Sequence, residues 1–232
     1  MAILNYAPSR YPYFDIVYQD ESMLVLNKPS GLLTVPGKAL EHKDSLQLRV
    51  QRSFPTATIV HRLDMATSGL IVLALDMDSH RKISKAFELR QTAKSYIARV
   101  FGKLSEEQGS IDLPLICDWP NRPKQMVDHE RGKKALTHWK RLACDKDESL
   151  VELTPITGRS HQLRVHMLSI GHPILGDRLY AHEQALQAAN RLQLHAKSLK
   201  LNHPLTDEPM AFECPVPFSF KSQSVATDID NN

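Results

Sequence analysis

The sequence predicts an α+β fold built on a largely antiparallel mixed sheet. Three observations lead to this prediction. Apolar stretches with strand character recur along the chain, most are joined by short polar turns, and only three or four helical patterns lie between them. At 232 residues with 42% hydrophobic content, the chain is long enough for one sizeable core and too short for several domains. We expect one domain over residues 15–220, an N-terminal arm over 1–14 and a disordered polar tail over 221–232.

The first half of the chain shows a hairpin, two helices and two further strands. Apolar segments at 16–18 and 23–26 flank a polar turn and predict the hairpin. Leu46, Val50 and Phe54 recur at i, i+4 and i+8, which predicts a helix over 44–53 that Pro55 ends. The same reasoning predicts strands over 70–75 and 95–101 and an amphipathic helix over 79–90.

The second half adds a hairpin, two helices and two more strands. Residues 135–143 and 150–154 flank an acidic turn and predict the hairpin. A helix is expected over 160–170, with Thr157 or Ser160 as its cap and Gly171 just past its end. The final elements are a helix near 183–191, a strand over 192–201, a turn at 206–208 and a strand over 210–214.

Charge and cysteine content narrow the class of protein. The formal net charge of +3 is too small to indicate a polyanionic partner, but residues 119–141 hold seven basic residues against two acidic ones. The three cysteines lie far apart without CxxC pairing, which argues against disulfides and a thiolate zinc site. No signal peptide and no long apolar segment are evident, so we expect a cytoplasmic protein without membrane contact.

Two motifs carry the most chemistry. Residues 61–69, HRLDMATSG, place a carboxylate and a guanidinium on a turn that leads into a buried strand, and residues 155–166 read PITGRSHQLRVH. Both resemble motifs of the RluA family of RNA pseudouridine synthases, and the resemblance extends over roughly residues 11–218. It implies the pseudouridine synthase fold with a central active-site cleft, an isomerase activity on RNA and base flipping. The S4 domain of larger relatives is not expected here.

The resemblance also implies a catalytic set. Asp64 matches the family's catalytic aspartate, which acts at the C1′ carbon of the target ribose. Burial alone would protonate this carboxylate, so a cation must oppose that, and Arg164 matches the family's basic residue. We expect Arg164 to pair with Asp64 in bidentate fashion from a helix face that it shares with His161 and Leu168. Tyr96 matches the family's active-site tyrosine, which stacks on the uracil and helps to remove the C5 proton.

Further residues are expected to bind the substrate. Arg62 matches a residue that fills the gap left by the flipped base; a phosphate contact or a structural salt bridge is an equal alternative. His61 lies beside it, with orienting the turn as its expected main role. Leu194 matches an apolar residue of the uracil pocket, and His195 is expected to pack behind it. Four basic residues are candidates for the RNA-contacting surface: Arg122, Lys124, Lys133 and Lys134.

Segments 113–125 and 171–178 resemble a dual-specificity member of the family, which implies 23S rRNA and tRNA anticodon stem-loops as substrates. We expect a monomer that does not bind DNA and that uses no cofactor, since the isomerisation moves neither electrons nor phosphate. No metal site is expected, because His161 and His166 are poorly spaced for a shared ion. Two alternatives stay open: a glycoside hydrolase with Asp64 as nucleophile and Glu152 as acid, or a catalytically idle RNA-binding module.

Overall fold

The computed structural model describes residues 6–220, and within that range the chain forms twelve strands and four α-helices. The predicted tail over 221–232 and the first five residues of the predicted arm lie outside the described residues. The strands are β1 (Ile16–Gln19), β2 (Met23–Lys28), β3 (Thr58–Ile59), β4 (Ser68–Ala74), β5 (Ala93–Phe101), β6 (Gln108–Asp112), β7 (Leu115–Cys117), β8 (Gln125–Val127), β9 (Leu136–Cys144), β10 (Glu148–Pro155), β11 (Leu194–Asn202) and β12 (Pro209–Glu213). The helices are α1 (Leu46–Gln51), α2 (Met77–Glu88), α3 (Gln162–Ser169) and α4 (Glu183–Gln187).

Ten of these strands form one mixed sheet, so the predicted α+β class is confirmed. The main order is β1-β2-β4-β11-β5-β10-β9-β6, while β3 pairs with β4 and β12 pairs with β11. Every described pairing in this sheet is antiparallel except that of β4 with β11. Strands β7 and β8 form a separate two-stranded hairpin.

Strand β4 is the centre of one half of the molecule because all seven of its residues are buried. Leu70 and Val72 pack toward Ile83 of α2, whereas Ile71 and Leu73 pack with the buried residues of α1. A continuous apolar run is typical of a strand that is covered on both faces. The other half has its own cluster, formed mainly by β5, β10 and α3.

The parallel pairing of β4 with β11 brings the 61–67 turn to the middle of the sheet. Ser68 lies opposite His195, and Gly69 lies opposite Ala196. Gly69 has a φ of +111°, and a Cβ atom there would collide with the backbone of Ala196. Only glycine therefore allows the two strands to meet at the point where the turn enters β4.

The predicted helices are present: α1, α3 and α4 are shorter than predicted, α2 is shifted by two residues to Met77–Glu88, and one cap is wrong. Helix α4 ends at Gln187 rather than near 191, and α3 begins at Gln162 rather than at 160. Neither Thr157 nor Ser160 caps α3, since the cap position is His161 in a left-handed conformation with φ of 54°. The Thr157 hydroxyl instead donates to Gln162 Oε1 at 2.7 Å and accepts from Leu136 N at 2.9 Å.

The predicted arm is tied to α1 where the structure describes it. Tyr6 accepts a hydrogen bond from Leu33 N and donates to the carbonyl of Asp44, while Arg49 donates to the carbonyls of Ser9 and Tyr13. The arm therefore borders the molecule as an ordered segment from residue 6 onward. None of the helices in the described range is long and apolar enough to cross a bilayer.

Candidate active site

A cleft of about 2450 Å³ runs between the two halves of the molecule, and the 61–67 turn lies on its wall. The turn is held from behind by the loop that follows β2. Thr34 Oγ1 donates to Leu63 O at 2.7 Å, Gly31 N donates to Met65 O at 2.8 Å, and Ser30 Oγ donates to Ala66 O at 2.6 Å. These bonds fix the backbone on both sides of Asp64.

Lys28 strengthens the same attachment from inside the protein. Its ammonium is fully buried and donates to the carbonyls of Pro29, Leu32 and Met65 at 2.7 to 3.1 Å. Burial lowers the pKa of Lys28 to about 7, although the charge of Asp64 acts in the opposite direction. Three carbonyl acceptors match the three N–H groups of the charged form. The pattern analysis missed this residue, because nothing in an Asn-Lys-Pro sequence marks a lysine as buried.

Asp64 and Arg164 meet in the cleft. Arg164 Nη1 donates to Asp64 Oδ2 at 3.2 Å, although the two residues are 100 positions apart in the chain. The expected bidentate pair is wrong, because Arg164 directs Nε and Nη2 to the buried Asp177 at 2.8 and 2.7 Å. The expected shared face holds for Leu168, which lies four residues after Arg164 within α3, but not for His161, which is the left-handed cap residue outside the helix. The guanidinium is thus divided between two carboxylates.

Tyr96 lies on β5 and lines the same cleft. Its ring packs against both halves of the core, and its hydroxyl has no hydrogen-bond partner within residues 6–220. Burial raises the pKa of Tyr96 above its ordinary value, and the nearby charge of Asp64 raises it further. The phenol is therefore protonated at neutral pH. Leu194 is buried on β11 and also lines the cleft.

The two remaining motif residues occupy different environments. His61 Nε2 accepts a hydrogen bond from Val72 N at 3.1 Å, and its ring stacks on Phe87 with centroids 4.4 Å apart. Burial lowers the pKa of His61 to about 3, so the ring is neutral and fits the role of orienting the turn. Arg62 is exposed and lines the cleft. No ion pair to Arg62 exists in the part of the chain that the structure describes, which argues against the salt-bridge alternative.

The predicted basic surface is only partly at the cleft. Arg122 lines it, whereas Lys124 is half-buried, and the exposed Lys133 and Lys134 lie outside its lining. The positive charge of the cleft comes instead from basic residues on many different elements of the fold. Nine basic residues line the cleft, namely Lys28, Arg62, Arg90, Lys94, Arg122, Arg159, Arg164, Arg178 and Arg191, against the carboxylates of Asp15, Asp64 and Glu88. Such a surface suits a polyanionic chain.

His195 lines the cleft beside Leu194, whereas Glu152 does not line it. The buried His195 bonds through Nδ1 to Ser68 Oγ at 2.9 Å and through Nε2 to Cys214 Sγ at 3.1 Å, which makes it a packing residue behind Leu194. Burial and the charge of Arg191 lower its pKa to about 4. Glu152 lies on β10 between Ile97 and Lys140 of the neighbouring strands and does not line the cleft, so it cannot serve as the acid of the hydrolase alternative.

Comparison with known proteins identifies the family. The sequence model for RNA pseudouridylate synthase matches residues 22–169. The chain is 58% identical over 204 residues to the dual-specificity RNA pseudouridine synthase RluA of Yersinia pestis, covering 88% of this chain and 99% of that protein. It is 53% identical to the RluA of Escherichia coli strain K12 over 94% of this chain and all of that one.

Solved structures agree with this assignment. Human RNA pseudouridylate synthase domain containing 1 superposes with a TM-score of 0.76 at 28% identity, over 92% of this chain and 87% of that chain. Human RNA pseudouridylate synthase domain containing 4 gives a TM-score of 0.70 at 26% identity, over 88% of each chain. The chain thus belongs to the RluA family of RNA pseudouridine synthases, enzymes that isomerise uridine within RNA.

Proposed function

We propose that this enzyme isomerises specific uridines in both 23S rRNA and tRNA anticodon stem-loops, with Asp64 as the catalytic carboxylate. The dual specificity is supported by relatives of that name at 58% and 53% identity. The same two RNA classes follow from the resemblance of segments 113–125 and 171–178. An enzyme with these substrates acts in the cytoplasm, and the domain over residues 15–220 supplies all of the groups that the proposal uses.

The division of Arg164 between two carboxylates is the observation that carries the proposal. Arg164 holds Oδ2 of Asp64, whereas Oδ1 accepts no hydrogen bond from any residue in 6–220. The Asp64 side chain is 28% exposed, and it is exposed at the cleft. One carboxylate oxygen is thereby held beside a cation, and the other is available to a substrate.

The reaction breaks the N1–C1′ bond, turns the uracil, joins C5 to C1′ and releases the proton from C5. An ionised carboxylate at C1′ can attack that carbon, remove the neighbouring sugar proton or stabilise positive charge on the ribose. Arg164 places its positive charge 3.2 Å from Asp64 Oδ2, and Asp177 fixes the guanidinium in place.

Tyr96 is the proposed partner on the base side. Its ring offers a face for the uracil, and Leu194 closes the apolar part of the same pocket. Because the phenol is protonated at neutral pH, it can take up the C5 proton only while its own proton passes to another acceptor. Asp64, whose charge raises the Tyr96 pKa, is the acceptor that the cleft offers.

The RNA path follows the basic lining of the cleft. A stem-loop must release its uridine into the site, at a cost of roughly a few kcal/mol in lost stacking. Arg62 is exposed beside Asp64 and free of ion pairs within residues 6–220, so its planar guanidinium can replace the extruded base or contact a phosphate. Arg122 lines the same cleft.

Tritium release from RNA labelled at uridine C5 tests the assignment. The wild-type enzyme should release label from 23S rRNA and tRNA fragments, and Asp64→Asn should release none above background. The nucleosides after digestion should keep the mass of uridine, because isomerisation changes no atoms. Free uracil among the products would favour the hydrolase, and equal release by Asp64→Asn would remove Asp64 from the mechanism.

A further inference from the structure

Tyr180 is not part of the proposed chemistry, yet it lies directly behind the Asp64–Arg164 pair. Its backbone N–H donates to Asp177 Oδ1 at 3.3 Å. The carboxylate that binds Arg164 therefore also binds the backbone of Tyr180. The Arg164 guanidinium lies over the Tyr180 ring, 5.0 Å from its centroid. The Tyr180 ring therefore packs against one face of the Arg164 guanidinium.

The Tyr180 hydroxyl joins two segments that are far apart in the chain. It accepts a hydrogen bond from Gln125 N at 2.8 Å and bonds to His161 Nδ1 at 2.7 Å. Since the Gln125 amide can only donate, the phenol proton is available to His161. His161 Nε2 in turn lies 3.9 Å from Asp64 Oδ2. Hydrogen bonds therefore connect Gln125 to His161, and His161 lies beside Asp64 without a hydrogen bond to it.

Gln125 belongs to the 115–127 hairpin, which consists of β7, β8 and their connection. It pairs with Cys117 at the point where the two strands open into the tip. The tip presents Trp119, whose side chain is 64% exposed, with the Arg122 guanidinium 4.8 Å from the ring centroid. Exposed aromatic and guanidinium planes are suited to stacking on unpaired bases.

This hairpin needs an external anchor. A two-stranded ribbon is marginally stable by itself in water. Its base is attached to the body by two backbone hydrogen bonds between Leu115 and Lys133, at 3.0 and 2.8 Å, and by a small apolar cluster of Leu115, Ala135 and Val165, against which Tyr180 also packs. The Tyr180 hydroxyl adds a polar bond at the other strand, at Gln125, where the strands open into the tip.

We propose that Tyr180 is a positioning residue that sets the 115–127 hairpin against the active site, so that Trp119 and Arg122 contact the RNA flanking the flipped uridine. The inference rests on the proposed function, because it requires the hairpin to contact the RNA substrate. Contacts of this kind form in the ground state and persist in the transition state, so their loss raises KM and leaves kcat largely unchanged.

Tyr180→Phe is the direct test, since it keeps the ring under Arg164 and removes only the hydroxyl. With a labelled stem-loop RNA, KM should rise about tenfold while kcat stays within about threefold of wild type. Trp119→Ala should raise KM similarly, and the double variant should show less than the product of the two effects because both act through the hairpin. The matched control is Tyr18→Phe, which removes a hydroxyl bonded to Asp20 at the outer edge of the sheet and should leave both constants unchanged.

An unchanged KM for Tyr180→Phe would overturn the positioning role, as would a loss confined to kcat, which would place the hydroxyl in the chemistry through His161. Independent effects of Tyr180→Phe and Trp119→Ala would also overturn it. Tritium release by the wild-type enzyme tests the proposed function separately. A negative result for Tyr180→Phe on an active wild type therefore counts only against the inference.

Discussion

The buried Arg164 and the half-buried Arg99 pair with carboxylates in different ways, and the difference separates a functional contact from a structural one. Arg99 on β5 gives Nε and Nη2 to Glu148 alone and Nη1 to the amide oxygen of Gln193. Both oxygens of Glu148 accept from it, so this pair is closed. Arg164 instead gives two donors to Asp177 and one to Asp64, which keeps one oxygen for the cleft.

Arg164 is suitable for a reactive site because it binds a second carboxylate, that of Asp177. A bidentate partner orients the guanidinium rigidly, and the remaining N–H group then fixes Asp64 without occupying it. A closed pair such as Arg99–Glu148 stabilises the sheet but leaves no oxygen for substrate. Substitution of the two arginines one at a time tests whether they differ in this way.

A large loss of activity is expected from removing the guanidinium of Arg164 and none from removing that of Arg99. Arg164→Met should lower kcat by about 10²- to 10³-fold, because Asp64 and Asp177 lose their shared cation. Arg99→Met should leave kcat unchanged. It should lower the free energy of unfolding by about 3 kcal/mol, because Glu148 would remain buried without its cation. Denaturant unfolding and tritium release on the same preparations measure both quantities. Similar kcat values for the two variants would end the distinction.

A smaller effect is expected at Arg62, the exposed guanidinium of the cleft. If it replaces the extruded base, Arg62→Ala should lower kcat/KM about tenfold on a stem-loop. An unstructured oligonucleotide, which has no stack to repair, should show little change. A loss that is equal on both RNAs would assign Arg62 to phosphate contact instead.

An effect on stability and not on activity is expected from a pH dependence that originates beside the cleft. The pKa of buried His195 falls to about 4, so between pH 4 and about 6.5 the unfolded chain binds a proton that the native protein lacks. The stabilisation is complete above pH 6.5 and is lost as the pH falls, at up to about 1.4 kcal/mol per pH unit. His195→Asn should flatten this slope, whereas substitution of the exposed His129 should not. Equal slopes for wild type and His195→Asn would contradict the assignment.

Much of the fold could be predicted because its elements have strong local patterns. The apolar run of β4, the helix period of α2 and the polar turns of the hairpins are each visible within about ten residues. Strands β3, β6, β7 and β8 were missed because β3, β7 and β8 have only two or three residues each, and β6 (QGSID) holds a single large apolar residue. The cap of α3 was wrong because the Gln162 side chain engages Thr157 across the loop, a tertiary contact without a local signature.

The candidate site likewise contains residues that the sequence predicted and residues that it did not. Asp64, Tyr96 and Arg164 were brought together by motif resemblance, and the structure places all three at one cleft. Asp177 and Tyr180 were missed, since their contacts with Arg164 and Gln125 depend on how the loop after α3 returns toward the hairpin. The available sequence signal was the Gly-Asp dipeptide at 176–177, because this dipeptide is typical of a tight turn. The structure agrees, since Gly176 has a φ of +72°.

In the proposed mechanism, Asp64 reacts with the substrate, whereas Asp177 only holds Arg164 in place. Single-turnover tritium release from one stem-loop RNA distinguishes these two roles directly. The two carboxylates receive the same substitution, to asparagine, and share the same guanidinium. Asp64→Asn should release no label above background, whereas Asp177→Asn should release it completely at a rate reduced roughly 10- to 100-fold. Complete release by Asp64→Asn, or none by either variant, would contradict the account.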